Sequence, residues 1–220
     1  MVEHPRIVLL GLPGSGKGTQ AAFMTKAWGV PAFSSGEYFR NLRRAGALSA
    51  EIAAKISAGG LVSDEDVSAI VVEAFLSTQR AQAGFVLDGY PRTVAQAAFL
   101  DEYLSKQSLG LSAVIYIDLP EEVAFKRIAG RRICPQDGDV YNVHYSPSSR
   151  EGFCDRCGSA LVQRDDDREE SVSVRMRKYD EVTKVLTGYY ARRHILISVD
   201  GSLTPDDVFC RIAQELDDKA

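Results

Sequence analysis

Short apolar runs alternate with longer amphipathic stretches along most of the chain. Five of these runs have the length of buried strands, and they cover Ile7–Leu10, Pro31–Phe33, Phe85–Leu87, Val114–Asp118 and His194–Val199. The stretches between them have the apolar spacing of helices that bury one face. This alternation predicts an α/β fold of three layers, with a central five-stranded parallel sheet and helices on both faces. In such a sheet, ligands bind beyond the carboxyl ends of the strands.

Polar caps predict where several helices begin. Ser34 and Glu37 have the spacing of a capping box, which predicts the start of a helix that carries Arg40. A second short helix is predicted at about 49–58, so that residues 34–62 would form a small helical insertion. Ser63 is then expected to cap a longer helix. The buried stripe of that helix is predicted to contain Val67, Ile70, Val71, Ala74 and Phe75.

The last helix is predicted to have Pro205 in its first turn. Val208, Ile212 and Leu216 are spaced to face the core. We expect Cys210, on the same helix, to be a buried small apolar residue, and we expect the single tryptophan, Trp28, to pack in the core.

A glycine-rich loop follows the first predicted strand. Gly11, Gly16 and Lys17 give it the spacing G-x-x-x-x-G-K, and the stretch from Lys17 to Lys26 predicts a helix. A strand, such a loop and a helix together indicate a phosphate-binding loop, whose backbone N–H groups and lysine hold the phosphates of a nucleoside triphosphate. Gly18 stands where a Ser or Thr usually contacts Mg²⁺. We therefore expect Mg²⁺ to be held mainly by the nucleotide, water and a carboxylate elsewhere.

A second polar cluster, Asp88-Gly89-Tyr90-Pro91-Arg92, follows the third predicted strand. Because the carboxyl ends of parallel strands share one edge of the sheet, this cluster should lie beside the phosphate loop. Asp88 would anchor Mg²⁺ directly or through its waters. Arg92 offers a bidentate fork for a phosphate, and Pro91 would stiffen the turn.

Composition limits the class of protein. With 45% apolar residues, the 220-residue chain can bury a sizeable core, so one main domain with insertions is expected. The net charge of −4 argues against a nucleic-acid partner. Residues 1–6 lack a signal-peptide pattern, and no apolar run approaches the ~18 residues of a membrane span. We therefore expect a soluble, cytoplasmic protein with no membrane partner.

Several motifs together resemble the adenylate kinases of the long-lid type over nearly the whole chain. The motifs, in chain order, are GLPGSGKGT (11–19), SSGEYFR (34–40), GGLVSDE (59–65), GFVLDGYPRT (84–93) with Gln96, RIAGRR (127–132) and QRDDD (163–167) with Arg175. The resemblance implies a P-loop NTPase fold that transfers a phosphoryl group from ATP to AMP with Mg²⁺ and forms two ADP, in a monomer. It also implies a core of residues 1–33, 63–129 and 168–220, an AMP-binding insertion at 34–62 and a lid at 130–167.

The resemblance implies roles for individual residues as well. The residues expected to bind ATP are Gly14, Ser15, Gly16, Lys17, Gly18, Thr19, Arg127, Arg131, Val140, Tyr141 and Leu203. The residues expected to bind AMP are Ser35, Arg40, Gly60, Leu61, Val62, Gly89, Tyr90, Pro91, Arg92, Gln96, Arg164 and Arg175. Those expected to act on the transferred phosphoryl group are Lys17, Arg92, Arg131, Arg164 and Arg175. If the helix that carries Arg127 continues to Arg131, the two arginines share one face of it.

Three of the four cysteines fall in the predicted lid. Cys134 and Asp137 are spaced like Cys154 and Cys157, the pattern of a zinc knuckle with one cysteine replaced. Zinc accepts carboxylate oxygen, so a structural zinc site with three cysteines and Asp137 is predicted, and His144 is an alternative fourth ligand. The competing interpretation is a lid without metal, in which the thiols are reduced and hydrogen bonds hold the turns.

Other functions remain open from the sequence. A UMP/CMP kinase or a GTP-dependent AMP kinase would have a similar phosphate loop, although Gln96 favours adenine and the long lid disfavours a UMP/CMP kinase. A nucleotide-binding regulatory module without turnover is an alternative of another class. Phosphoryl transfer requires no strong general base. His4, His144 and His194 are therefore expected to be solvated.

Overall fold

The computed structural model describes residues 4–47 and 63–218, and the predicted helix near 49–58 lies outside these ranges. Within them, five strands form one sheet, and these are β1 (Arg6–Leu10), β2 (Ala32–Ser34), β3 (Phe85–Asp88), β4 (Ala113–Asp118) and β7 (Leu196–Asp200). Their order in the sheet is β2-β3-β1-β4-β7, and every neighbouring pair is parallel. The predicted α/β fold with a central five-stranded parallel sheet is therefore confirmed, and the strand ends differ from the prediction by one or two residues.

Helices cover both faces of this sheet. Before the predicted lid they are α1 (Lys17–Trp28), α2 (Ser35–Arg44), α3 (Asp64–Val71), α4 (Gln79–Ala83), α5 (Val94–Ser105) and α6 (Glu121–Ala129). After the predicted lid they are α7 (Glu169–Lys178), α8 (Val185–Ala191) and α9 (Pro205–Asp217). A π-helical turn follows α3 at Val72–Leu76, and another follows α7 at Tyr179–Thr183.

The central strand shows why two faces are buried. Val8 and Leu10 belong to the apolar cluster on one face, whereas Ile7 and Leu9 belong to the cluster on the other. Successive side chains of a strand point to opposite faces, so a strand between two helical layers must be apolar throughout. This is the reason that short, continuous apolar runs predicted the sheet.

The capping residues behave as predicted. The hydroxyl oxygen of Ser34 accepts a hydrogen bond from the backbone N–H of Glu37 at 3.5 Å, and that of Ser63 accepts one from Asp66 at 3.1 Å. Each hydroxyl satisfies a backbone donor that has no partner within the helix. These caps fix the start of α2 and of α3.

One core assignment is wrong. On α9, Val208, Ile212 and Leu216 are buried as predicted, but Cys210 is exposed. Two residues correspond to about 200° of rotation around a helix, so a residue midway between Val208 and Ile212 faces outward. Trp28 is half-buried at the edge of the core, where its ring centroid lies 5.5 Å from that of Phe209.

A second, smaller sheet was not predicted. Arg131–Ile133 (β5) and Val140–Asn142 (β6) pair as an antiparallel hairpin at the start of the predicted lid. The helix that carries Arg127 ends at Ala129, and Arg131 begins β5. Arg127 and Arg131 therefore do not share a helix face.

None of the helices in the described ranges combines the length and the apolar composition that crossing a membrane requires.

Candidate functional site

The phosphate loop lies between β1 and α1. Gly14 and Gly16 have positive φ angles of 85° and 99°, which glycine adopts without strain. At Gly11, a Cβ atom would lie 2.7 Å from the carbonyl oxygen of Ile117, closer than real contacts allow. The glycines therefore let the loop turn tightly against the neighbouring strand and lead directly into the helix N-terminus, which is an anion-binding arrangement.

Lys17 folds back over this loop. Its ammonium group donates hydrogen bonds to the carbonyl oxygens of Gly11 at 2.7 Å and Leu12 at 2.8 Å. The pKa of Lys17 is lowered to about 8, chiefly by burial and also by the positive charges of Arg92, Arg175 and Arg131, while Asp88 opposes the shift. Four charged groups from separate segments therefore lie near enough to Lys17 to influence its charge.

Asp88 and Arg92 lie at the carboxyl end of β3, as predicted. Asp88 pairs in register with Leu9 of β1 and with Ser34 of β2. Its carboxylate oxygen Oδ2 lies 3.9 Å from the position of a Cβ atom built on Gly18. A carboxylate is therefore present directly beside the phosphate loop, where the missing Ser or Thr of that loop would have supplied an oxygen.

The segment after Asp88 is held in a defined turn. The Tyr90–Pro91 peptide bond is cis. The carbonyl oxygen of Gly89 accepts hydrogen bonds from the Ser35 hydroxyl at 2.6 Å and from Nε of Arg92 at 2.9 Å. This shared acceptor places Ser35 and Arg92, two predicted AMP-binding residues, side by side.

Two consecutive aspartates organise the remaining arginines. Asp167 is fully buried, and its carboxylate accepts hydrogen bonds from Arg131 at 2.7 and 2.5 Å and from Arg175 at 3.2 Å. Asp166 lies 3.4 Å from the guanidinium group of Arg175 and 3.6 Å from that of Arg40. The aspartates thus connect arginines from α2, β5 and α7.

These carboxylates do not neutralise all the positive charge. Burial and, to a smaller extent, the nearby charges of Arg131 and Arg40 lower the pKa of Arg164 to about 10. Burial also lowers the pKa of Arg40. A cluster of arginines that depress one another's pKa is short of negative charge, and a phosphate would supply it.

The two aspartates were not predicted as site residues. They lie within the quoted QRDDD motif, so the sequence contained the signal, but three successive acidic residues also fit an exposed turn. Asp165–Asp167 form a short 3₁₀ turn that buries Asp167 and leaves Asp165 exposed. Only the fold shows which of the three faces the arginines.

Gln96 is buried beside the same turn. Its amide oxygen accepts a hydrogen bond from the backbone N–H of Arg92 at 2.8 Å, and its amide nitrogen donates one to Asp64 at 2.7 Å. Asp64 is a third residue that the sequence did not single out. The amide of Gln96 is thereby fixed at the edge of the crevice.

The other predicted nucleotide contacts are more dispersed. Arg127 donates a hydrogen bond to the carbonyl oxygen of Gly201 at 2.9 Å, and its guanidinium carbon lies 5.6 Å from the ring centroid of Tyr145.

Val140 and the half-buried Tyr141 lie on β6, whereas Leu203 packs against the core near the end of β7. Gly60, Leu61 and Val62 lie outside the described residues. The three histidines are exposed, as expected.

The predicted lid contains a compact set of metal-ligating atoms. One ligand atom from each of Cys134, Asp137, Cys154 and Cys157 lies within 4.8 Å of all the others. The Sγ atoms of Cys134 and Cys157 are 3.4 Å apart, and Sγ of Cys154 is 3.1 Å from Oδ2 of Asp137. Tetrahedral zinc with usual bond lengths places two sulfurs about 3.8 Å apart and a sulfur and an oxygen about 3.5 Å apart. The donor set therefore fits a metal such as zinc.

Two equivalent turns present these ligands. The backbone N–H of Gly138 donates to the carbonyl oxygen of Cys134 at 3.0 Å, and that of Gly158 donates to Cys154 at 2.9 Å. Both glycines have positive φ angles, 77° and 74°. Asp137 holds the place in the first turn that Cys157 holds in the second. Hydrogen bonds from the thiols of Cys157 and Cys154 lower the pKa of Asp137 to about 2. At neutral pH its side chain is therefore a carboxylate anion, which is the form that binds a metal ion.

Comparison with known proteins identifies the family in which this phosphate loop, arginine cluster and cysteine-rich segment occur together in this chain. The family model for adenylate kinase matches residues 9–195. The chain belongs to the adenylate kinase family. An adenylate kinase of Thermodesulfovibrio yellowstonii is 43% identical over 215 residues, which are 97% of this chain and 100% of the relative. Another, from Anaeromyxobacter sp. strain K, is 43% identical over 203 residues, 92% of this chain and 94% of the relative.

Membership in this family makes the chain a phosphotransferase that uses ATP, AMP and ADP. The adenylate kinase assignment agrees with the site, since cationic side chains surround the phosphate loop and no histidine in the described residues faces it. Phosphoryl transfer depends on positioning and charge stabilisation more than on a protein base.

Proposed function

We propose that this crevice holds ATP and AMP in line and transfers the γ-phosphoryl group between them, giving two ADP in a reversible reaction. The observation that carries the proposal is the gathering of charged side chains from separate segments around the phosphate loop. Asp88 lies beside Gly18, and the buried Asp167 accepts hydrogen bonds from both Arg131 and Arg175. Arg92, Arg175 and Arg131 also lower the pKa of Lys17. Positive groups gathered around an anion-binding loop suit the negative charge that is spread over a phosphoryl group in transfer.

The ATP phosphates are assigned to the phosphate loop, where Lys17 would leave the carbonyl oxygens of Gly11 and Leu12 for the outer phosphates. This exchange replaces two neutral acceptors with charged ones, and charged acceptors form the stronger hydrogen bonds. Arg131 would approach from the lid. The other residues assigned to ATP are Gly14, Ser15, Gly16, Gly18, Thr19, Arg127, Val140, Tyr141 and Leu203.

AMP is assigned to the far side of the crevice, where Arg40 and Arg92 would hold its phosphate. Arg164 and Arg175 would contact the phosphates of both nucleotides. This division is the one that the resemblance to adenylate kinases implies, and the contact of Arg40 and Arg175 with the same Asp166 side chain supports placing these two arginines together. The remaining residues assigned to AMP are Ser35, Gly60, Leu61, Val62, Gly89, Tyr90, Pro91 and Gln96.

Asp88 is assigned to Mg²⁺, held through the ion's waters. The metal ion would neutralise part of the charge on the ATP phosphates. The position of the carboxylate beside Gly18 supports this assignment, because that part of the loop has no hydroxyl ligand.

Residues 130–167 are assigned to a lid, and Cys134, Asp137, Cys154 and Cys157 to a structural zinc ion in it. Asp137, rather than His144, is proposed as the fourth ligand because its carboxylate lies among the three thiols. A lid with little apolar core gains order from such an ion. Closure of the lid would exclude water from the phosphoryl group.

Acceptor specificity tests the adenine assignment. In a coupled assay with Mg·ATP, we expect rapid ADP formation with AMP and slow formation with CMP, UMP or GMP. The physical reason is that a buried amide at Gln96 can both donate to and accept from the adenine edge. A preference for CMP or UMP would contradict the acceptor assignment, and binding of ATP without turnover on any acceptor would contradict catalysis.

A further inference from the structure

The amide of Gln96 has both of its ends engaged by the protein. Oε1 accepts from the backbone N–H of Arg92 at 2.8 Å, and Nε2 donates to Oδ1 of Asp64 at 2.7 Å. An amide's two ends are alike in shape but opposite in hydrogen bonding. Because a backbone N–H only donates and a carboxylate only accepts, these two partners allow a single orientation of the amide. Rotation by 180° would place a donor against a donor and an oxygen against an oxygen.

Asp64 is itself held firmly in place. It is the first residue of α3, directly after the N-cap Ser63. Its second oxygen, Oδ2, accepts a hydrogen bond from the hydroxyl of Thr93 at 2.7 Å. That hydroxyl also caps α5 by accepting from the backbone N–H of Gln96 at 3.1 Å. The carboxylate therefore connects the N-termini of two helices, a position that favours a negative charge.

The engaged amide still has hydrogen-bonding capacity. An amide oxygen has two lone pairs and an amide nitrogen two N–H groups, so one acceptor and one donor are not taken up by the residues that the structure describes. The exposed edge of adenine offers a donor at its 6-amino group and an acceptor at N1. A 6-oxopurine, such as guanine or hypoxanthine, offers the reverse, an acceptor at O6 and a donor at N1. The fixed orientation suits adenine, and the flipped one would suit a 6-oxopurine.

We propose that Asp64 is a positioning residue that locks the Gln96 amide in the orientation complementary to adenine and thereby excludes 6-oxopurine nucleoside monophosphates as acceptors. The inference rests on the proposed function, since it requires Gln96 to meet the acceptor base. Asp64 acts only through Gln96 and touches neither nucleotide. Without it, the backbone N–H of Arg92 is the one group among the described residues that would oppose the flip.

Steady-state kinetics with AMP and inosine 5′-monophosphate test this role. The two acceptors carry the same sugar and phosphate, and inosine lacks the 2-amino group of guanosine, so their comparison isolates the edge that Gln96 would meet. We expect the ratio of kcat/KM for AMP over the inosine nucleotide to fall about 5- to 20-fold in Asp64→Ala. We expect the change for AMP to lie in KM, with kcat within about twofold of the wild type, because the phosphate contacts are unaltered.

Two further variants separate this role from a structural one. Asp64→Asn keeps the shape of the side chain but replaces the carboxylate with an amide. Because that amide can pair with either orientation of the Gln96 amide, we expect this variant also to lower the ratio of kcat/KM. Glu65→Gln is the control, because it removes one negative charge, as the Asp64 variants do, from an exposed side chain in the same first turn of α3. It should leave the ratio of kcat/KM for the two acceptors unaltered. Equal losses for both acceptors in the Asp64 variants would show a merely structural role and overturn the proposal.

Gln96→Ala distinguishes failure of this inference from failure of the assignment of Gln96 to AMP, on which it rests, and turnover of AMP by the wild type tests the proposed function separately. If the ratio collapses in Gln96→Ala but is unaltered in both Asp64 variants, Gln96 meets the base and the lock is wrong. If Gln96→Ala leaves the ratio unaltered, Gln96 does not meet the base, and the assignment of Gln96 to AMP and the lock are both wrong.

Discussion

Replacement of Asp167 by alanine is expected to reduce kcat/KM by about 10²- to 10³-fold, the range typical for loss of a preorganised donor in an active site. Asp167 is fully buried and orients two arginines, Arg131 and Arg175, which we assign to the phosphates. Without the carboxylate, both side chains lose their fixed geometry, and small displacements of such groups are costly. Steady-state kinetics with Mg·ATP and AMP measure the effect.

The neighbouring Asp165 provides a matched control. It has the same charge, it lies two positions earlier, and its exposed side chain bonds only to Arg168 among the described residues. Asp165→Ala should leave kcat/KM within about twofold, as surface substitutions usually do. Thermal unfolding of both variants separates catalysis from folding. An Asp167→Ala enzyme with nearly normal kcat/KM would show that the arginines do not depend on this carboxylate.

Removal of the metal that we assign to the lid is expected to have the second large effect. Dialysis against a strong chelator should release about one zinc ion per chain and lower the Tm by about 5–10 °C, since a bound ion stabilises the folded state alone. Four charged or polarisable ligands brought within 4.8 Å repel or crowd one another once the ion is gone. Metal analysis and calorimetry on the same samples measure both quantities.

Single substitutions sharpen this test. Cys157→Ser should lose the metal, whereas Asp137→Cys should bind zinc more tightly, because thiolate is the softer ligand. Cys210→Ser is the control, since Cys210 is exposed and is not one of the four ligands. A protein purified without metal, with a Tm that neither zinc nor chelator alters, would favour the alternative of a metal-free lid.

The sequence predicted the sheet and its helices because each depends on local periodicity. Ile7–Leu10 is apolar on both faces, and Ser34 and Ser63 mark helix starts within three residues of the backbone groups they cap. The hairpin of β5 and β6 was missed since its strands have three residues each and are partly exposed. Such short strands carry too little alternation to be recognised.

The site was predicted less completely, for a different reason. Phosphate-loop glycines and Lys17 form a local motif, and the cysteine spacing is local as well. Asp64 and Asp167 act on partners 32 and 36 positions away, Gln96 and Arg131. An isolated acidic residue usually indicates a solvated surface. Their roles therefore became visible only when the fold placed them against an amide and a guanidinium group.

The most direct test of the central claim is ³¹P NMR of the purified protein with Mg²⁺ and equimolar ATP and AMP. Transfer between nucleotides predicts that the ATP and AMP signals decline together and two ADP appear for each ATP consumed, without inorganic phosphate. The same equilibrium mixture of ATP, ADP and AMP should form from ADP alone, because the reaction is reversible. Appearance of inorganic phosphate with AMP unconsumed would mean that water is the acceptor, and it would contradict the account.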